Sequence, residues 1–378
     1  MTEQTACTLL SFLAAGRLSL SDALRLYTAA GSALCVIEQR NDIRSIDPEA
    51  TDKLAEIMSA DVTPLIHRAE EEQEWCEANN VSIITYNDKA YPDRLRQCSD
   101  APLVLYVRGT ADLNARHVID IVGTRKCTQY GQDVIKSMVS ELATLCPDIM
   151  INSGLAYGVD INAHRAALQY GISTTGIVAH GQDTLYPSMH RNEANAMVLS
   201  GCGAVVTEYP RGTRPEARNF LQRNRIIAGM SDATIVVESA SHGGGLVTAR
   251  LAQEYGREVM AVPGPVNEEY SKGCNNLIRD HKASLITSAA DIITLMNWQN
   301  DHKLAKARKM GIERTMFPEL TDEEQSICNA LEQHGDLLLN DMAAHISRKA
   351  QDLQPILLSL EMRGIVRSMS GNTFHLVK

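Results

Sequence analysis

The chain has 378 residues, 44% of them hydrophobic and 22% charged, with a formal net charge of −10; this is long enough for two or three domains with sizeable cores. No run approaches the roughly 18 uncharged apolar residues of a membrane span, and the opening MTEQTACTLLSFLAAGRLSLSD lacks the basic start and cleavage site of a signal peptide, so a cytoplasmic protein is expected. The nine cysteines, at positions 7, 35, 76, 98, 127, 146, 202, 274 and 328, are odd in number, scattered and without a CxxC pair, which excludes a disulfide framework and a zinc site and leaves ordinary reduced thiols.

Charge is unevenly spread. Residues 1–80 carry 14 acids and 6 bases, residues 81–313 carry 23 and 24, and residues 314–378 carry 9 and 6, giving nets of −8, +1 and −3. An acidic protein repels a polyanion, so any nucleic-acid site is expected as a local patch on the middle segment.

The first 75 residues read as helices, with apolar residues at helical spacing: LLSFLAAG, a segment from Ser21 or Asp22 through SDALRLYTAAGSALCVIEQ, PEATDKLAEIMS, and PLIHRAEEEQEWCEANN. Residues 1–78 are therefore expected to form a small helical domain, and Glu70 to Glu72 its solvated face. From Val81 short apolar runs alternate with helical stretches. After VSIITY and PLVLYVRG, strands are expected at 118–123, 149–152, 174–179, 204–209, 234–239 and 258–264. The helices between and after them fall at 131–145, from Asp160, and near 190–200, 224–230, 246–256 and 275–281. Strands that are apolar throughout and alternate with helices indicate a parallel sheet covered on both faces, an α/β doubly wound, Rossmann-like domain over 81–298. Residues 299–315 read as a basic linker. Residues 316–378, three short helices followed by two strands, read as a winged helix-turn-helix in which Arg348, Lys349, Arg363 and Arg367 form a small basic patch.

In such a sheet ligands bind at the carboxyl ends of the strands, and nearly every loop there is glycine-rich. Gly123-Thr124-Arg125, with Gly131 beyond, is neither a dinucleotide fingerprint nor a P-loop; it is a phosphate-holding turn or a simple tight turn. In SGLAYGVDINAHRAAL, Asp160 and His164 stand four apart, either an acid/base or metal pair or a cap and a buried histidine. The residues of HGQDTLYPSMH, His180, Gly181, Asp183, Tyr186 and Pro187, line a pocket or fix a turn. Gly243, Gly244 and Gly245, with Thr248 in the first turn of the next helix, make an anion nest or a close helix–sheet contact.

The stretch RGTRPEARNFLQRNRIIAGMSD, 211–232, reverses the global charge. Between Arg211 and Arg225 it holds Arg211, Arg214, Arg218, Arg223 and Arg225 against a single acid, Glu216, and it includes Phe220, one of only four phenylalanines. Guanidinium groups hold phosphates and an aromatic face stacks a base; ion pairs and a core phenylalanine are the bland alternative. No loop offers a nucleophile, base and orienting partner at recognisable spacing, which favours binding over catalysis.

Taken together, IVGTRKCTQYG, INSGLAYGVDINAH, HGQDTLYP, TEYPRGTRP, FLQRNRIIAGMSD, VVES, LVTARLAQEYGREVMAVPG and SKGCNNLI stand in the order seen in the DNA-processing protein A family, DprA or Smf. The chain resembles that family densely over roughly 81–290. The resemblance implies a non-enzymatic bacterial protein of natural transformation, typically a homodimer and without a cofactor or metal. Such a protein binds incoming single-stranded DNA, protects it and helps load RecA onto it. Carried over by motif, the DNA-contacting residues are Gly123, Thr124 and Arg125, then Arg218, Phe220, Arg223, Asn224 and Arg225, and Gly243, Gly244, Gly245 and Thr248. Leu221 stands where the family has proline, and Gly243 and Gly245 where it commonly has serine. Two other readings remain: a Rossmann-like enzyme or sensor of a nucleotide-derived ligand, with Glu254 or Asp160 as acid, and a transcription regulator reading duplex DNA through the C-terminal domain.

Overall fold

The computed structural model describes residues 1–298, 321–334, 337–346, 348–362, 365–369 and 373–376. The segment expected as a basic linker lies outside the described residues, as do Arg363 and the side chain of Arg367. The chain divides into two compact units, Met1–Asn297 and Trp298–Lys378.

The first unit opens with α1 (Glu3–Gly16), α2 (Leu20–Ala30), α3 (Ala33–Glu38), α4 (Asp52–Ser59) and α5 (Thr63–Ala78). The expected continuous segment from Ser21 breaks at Gly31, whose φ of 77° is left-handed and ends α2. Ser32 then starts α3 by accepting the Cys35 N–H, and the cap of α2 is Ser19, accepting from Asp22. Leu9, Leu10, Leu26, Ile37 and Met58 of these helices share one apolar cluster with Leu103, Val104 and Tyr106.

The expectation of a solvated glutamate run fails at Glu72. Its side chain is buried and accepts the Arg211 backbone N–H at 2.8 Å, with the Arg211 guanidinium 3.6 Å away. α5 lies against a loop from the middle of the chain, so its polar face is not all solvent-facing, and the helical pattern could not reveal that. Burial raises the Glu72 carboxyl above its ordinary value, opposed by the Arg211 hydrogen bond and charge.

The sheet comprises β1 (Ser82–Thr85), β2 (Val104–Gly109), β3 (His117–Val122), β4 (Ile149–Ser153), β5 (Ser173–Ile177), β6 (Ala204–Thr207), β7 (Ala233–Val236), β8 (Glu258–Ala261) and β9 (Ser284–Leu285). Their order is β1-β2-β6-β5-β4-β3-β7-β8-β9. Strands β3 to β9 pair in parallel, while β1 and β2 add an antiparallel edge. Every residue of β3, β4, β6 and β7 is buried, as expected of strands covered on both faces. The chain winds from β3 out to β6, then returns to place β7 on the other side of β3. The crevice beyond the carboxyl ends of β3 and β7 is therefore the topological switch point.

The covering helices are α6 (Asp93–Arg96), α7 (Gln129–Leu145), α8 (Val159–Tyr170), α9 (Arg191–Leu199), α10 (Ala217–Gly229), α11 (Gly244–Glu254), α12 (Lys272–Arg279) and α13 (Ala289–Leu295). α10 begins seven residues before the expected 224, so Arg218 and Phe220 ride on a helix. Its first turns are exposed and carry no apolar stripe, which hid them from periodicity, although arginine, leucine and glutamine favour helix. The second unit contains α14 (Asp322–His334), β10 (Leu337–Leu338), α15 (Leu339–Ile346), α16 (Ala350–Met362), β11 (Val366–Met369) and β12 (Thr373–Leu376). Its three strands pair antiparallel in the order β10-β12-β11 over a separate core that includes Ile327, Leu353, Leu357 and Phe374. Arg348 is paired there with Glu323 at 2.7 Å. Among the described residues no helix is long and apolar enough to cross a membrane.

Candidate nucleic-acid interface

A cavity of about 670 Å³ opens at the switch point. Its floor is the turn after β3. Thr124 donates its N–H to the Glu238 carbonyl at 2.7 Å, tying that turn to the end of β7. The Glu238 carboxylate in turn accepts the Thr128 N–H and hydroxyl at 2.8 and 2.5 Å, fixing the start of α7. Glycine is required here by space. A Cβ on Gly123 would lie 2.6 Å from the Glu238 carbonyl oxygen, and one on Gly245 would lie 3.0 Å from Gly123 itself. The amino terminus of α11 is thus pressed against the β3 turn, which is the close-packing role foreseen for the triple glycine.

That packing leaves backbone donors at the start of α11 facing the cavity. No side chain caps α11, and among the described residues no acceptor takes the N–H groups of Gly244 and Gly245. Free N–H groups at a helix start carry partial positive charge into the cavity. Across from them stand Arg125 and Lys126, both exposed and neither paired with a carboxylate among the described residues.

Phe220 forms the facing wall. Its half-buried ring lies under the Arg125 guanidinium at 5.4 Å and the Arg223 guanidinium at 6.0 Å, within cation–π range. The Tyr186 ring stands tilted beside it, with ring centroids 5.6 Å apart. One cleft thus presents a cationic group, an aromatic face and a helix amino terminus.

Of the twelve residues expected at the site, Gly123, Thr124, Arg125, Phe220, Arg223, Asn224, Gly243, Gly244, Gly245 and Thr248 all line this cavity. Arg218 and Arg225 do not. They line a separate hollow beside α1 with Phe12, Arg68 and Gln222. Arg218 is exposed there, whereas Arg225 reaches the Glu208 carboxylate and the Asp100 carbonyl, with only 13% of its side chain accessible. Burial works against the Arg225 charge, but Glu208 and Asp100 outweigh it and hold the guanidinium protonated.

Arg223 is also committed inward. It is buried and donates to the carbonyls of Gly154, at 2.7 Å, and Ile177, joining α10 to the ends of β4 and β5. Burial pulls it down to about 10, with Asp160 opposing, so it stays charged at neutral pH. Asp160 accepts the Gly154 N–H at 3.1 Å, and burial raises its carboxyl while Arg223 draws it back. His164 is buried with its Nδ1 on the Thr174 hydroxyl at 2.8 Å, and burial lowers it to about 3. Because Thr174 spends its proton on the Ile151 carbonyl, Nδ1 carries the histidine proton and the ring is neutral. Asp160 and His164 are therefore spent in the fold, and no cluster of three or more metal-ligating side chains exists among the described residues. His180 likewise fixes a turn, accepting the Tyr186 N–H at Nε2 at 3.1 Å.

Sequence reasoning missed Lys126, Ser239, His242 and Tyr270 in the lining. Lys126 was legible as a second base beside Arg125. Tyr270 was not, since it arrives only through the Tyr270 carbonyl accepting the Ser239 N–H at 2.6 Å.

A sequence model of the family DNA recombination-mediator protein A matches residues 82–297. Protein Smf of Escherichia coli is 34% identical over 301 residues, covering 79% of this chain and 78% of that protein. The X-ray structure of DNA processing protein A from Streptococcus pneumoniae superposes with a TM-score of 0.57 at 28% identity, covering 74% of this chain and 98% of that one. A Helicobacter pylori structure, described for its single-stranded DNA binding mode, gives a TM-score of 0.50 at 28% identity and covers 57% of this chain and 95% of that one.

Proposed function

The chain belongs to the DNA recombination-mediator protein A family, and from that premise we propose that its switch-point cleft binds single-stranded DNA without catalysing a reaction. The observation that carries this reading is the convergence in one cleft of Arg125 and Lys126, the Phe220 face and the free N–H groups of α11. Phosphates meet the two cations and the helix amino terminus, while one base stacks on Phe220, an interaction worth about 1–3 kcal/mol. A duplex keeps its bases stacked on one another and cannot offer that face, so the preference is for single strands. Direct contact is assigned to Arg125, Lys126, Phe220 and the Gly243–Gly245 backbone. Gly123, Thr124, Asn224 and Thr248 shape the lining, Arg223 supports the ring from inside, and Arg218 guides the strand's approach. Arg225 acts through the fold.

Four further parts follow the family resemblance: protection of the bound strand, loading of RecA onto it, action as a homodimer, and residence in the cytoplasm, where the free thiols stay reduced. The proposed division of the chain is a helical domain at 1–78, a Rossmann-like domain at 81–298, a linker at 299–315 and a winged helix at 316–378. A partner or auxiliary-DNA role is assigned to the winged helix. The absence of catalysis is supported by His164, which is buried and neutral with its Nδ1 proton held by the Thr174 hydroxyl.

A second reading, a sensor of a nucleotide-derived ligand, is favoured only by the cavity's size, which suits a small molecule. Binding to an unstructured oligonucleotide and to a matched duplex, measured against salt, with RecA filament assembly followed on the same strand, decides between them. Single-strand preference with steep salt dependence is expected. Equal affinity for both forms, or stabilisation by a mononucleotide and not by the oligonucleotide, would sink the reading.

A further inference from the structure

Two exposed tyrosines stand beside the cleft without lining it. Tyr186, in the loop after β5, keeps 40% of its surface, and Tyr157, in the loop after β4, keeps 38%. The Tyr186 ring lies 5.6 Å from Phe220 at an angle of 55°, so the two form adjoining facets of one aromatic surface. Its hydroxyl has no partner among the described residues.

The backbone under Tyr186 is firmly held, which an incidental surface tyrosine does not need. His180 accepts the Tyr186 N–H at Nε2 and donates Nδ1–H to the Gly181 carbonyl at 2.9 Å, one neutral tautomer serving both bonds. Gln182 donates to the carbonyls of Tyr106 and Val205 at 3.1 and 2.9 Å, and Asp183 accepts the Gly212 N–H at 2.9 Å. Tyr157 is fixed in a parallel way. Gly158 after it has a φ of 77° and presses on the Thr124–Arg125 backbone, and the Tyr157 ring meets His190 edge-on at 5.2 Å. His190 is itself buried and anchored to the Leu155 carbonyl at 2.9 Å.

We propose that Tyr186 is a second base-stacking residue, so that the strand leaves Phe220 toward the loops after β5 and β4, with Tyr157 flanking its path. This rests on the single-stranded DNA reading of the cleft and gives it a direction. A base on Tyr186 sits next to the base on Phe220, and every base has the π face needed, so the extension adds affinity without sequence preference.

The test is photocrosslinking of the full chain to short thymidine oligonucleotides carrying one 5-iodouracil at successive positions, with crosslinked peptides located by mass spectrometry. Affinities of Tyr186→Ala and Tyr186→Phe are measured alongside. Crosslinks to Phe220 from one position and to Tyr186 from its neighbour are expected, with affinity lowered about 5- to 150-fold by Tyr186→Ala and restored by Tyr186→Phe. Crosslinks at Phe220 with none at Tyr186 from any position overturn the proposal, even if Tyr186→Ala weakens binding, because the ring then only buttresses Phe220. Binding with crosslinks at neither residue overturns the stacking reading of the cleft itself, and this extension with it.

Discussion

Replacing Phe220 by alanine separates stacking from charge. The ring lies within cation–π range of the guanidinium groups of Arg125, at 5.4 Å, and Arg223, at 6.0 Å. Arg223 is pinned by the Gly154 and Ile177 carbonyls and keeps its place when the ring is lost. Arg125 has no such tether among the described residues and gains freedom. The direct loss is then one base–aromatic stack of about 1–3 kcal/mol, a fall in affinity of about 5- to 150-fold at fixed salt. No charge is removed, so the slope of log affinity against log salt is expected to stay that of the parent protein. Arg125→Ala, by contrast, is expected to make that slope shallower by about 0.7, the contribution of one phosphate on a single strand. Fluorescence anisotropy with a labelled thymidine oligonucleotide across a salt series gives both quantities, and a thermal melt checks that each variant is folded. Affinity of folded Phe220→Ala within twofold of the parent, or a slope lowered as by loss of a charge, would refute the division of labour between ring and cations.

Other expectations follow from groups held inside the fold. Arg225→Ala strands the Glu208 carboxylate, and is expected to lower stability in urea by about 3–5 kcal/mol while leaving the affinity of the folded fraction near the parent value; Arg225→Leu combined with Glu208→Leu is expected to recover much of the loss. Asp120, wholly buried in β3 and accepting from Thr234 at 3.0 Å and from Ser231, has its carboxyl pushed well above the usual range by burial. A raised acid favours the folded state at low pH, and that contribution is lost as pH climbs from the ordinary carboxylate range toward the raised folded value, by about 1.4 kcal/mol per pH unit for one proton. Asp120→Asn is therefore expected to flatten, by one proton's worth, the fall of urea stability as pH rises above the ordinary carboxylate range. Glu72→Ala leaves the Arg211 N–H without its acceptor, for a stability loss of about 1–3 kcal/mol and faster tryptic cleavage after Arg211 or Arg214, read by timed digestion.

Much of the fold was legible because its signals are local. The apolar runs of β3 to β8 announced parallel strands, and of the two readings of the triple glycine, close helix–sheet packing is met at Gly245, where a Cβ would lie 3.0 Å from Gly123. Ten of the expected site residues meet in one cleft for the same reason, since loops after parallel strands all open at one end of the sheet. What stayed hidden depends on partners remote in sequence. Arg223, Arg225 and Arg125 look equivalent in a list of arginines, yet the first two are held inward on carbonyls and a carboxylate and, of the three, the last is exposed for a ligand. Glu72 looked solvated because its partner, Arg211, lies 139 residues away. The start of α10 was missed because a helix turn facing a site carries no apolar stripe.

The most direct measurement of the central claim is hydrogen–deuterium exchange of the full chain with and without a short thymidine oligonucleotide. Protection is expected in peptides covering 123–126, 218–221 and 243–246, strongest at the Gly244 and Gly245 amides, which have no acceptor among the described residues. Binding with those three segments unprotected and protection confined to other parts of the chain would contradict the assignment of the cleft.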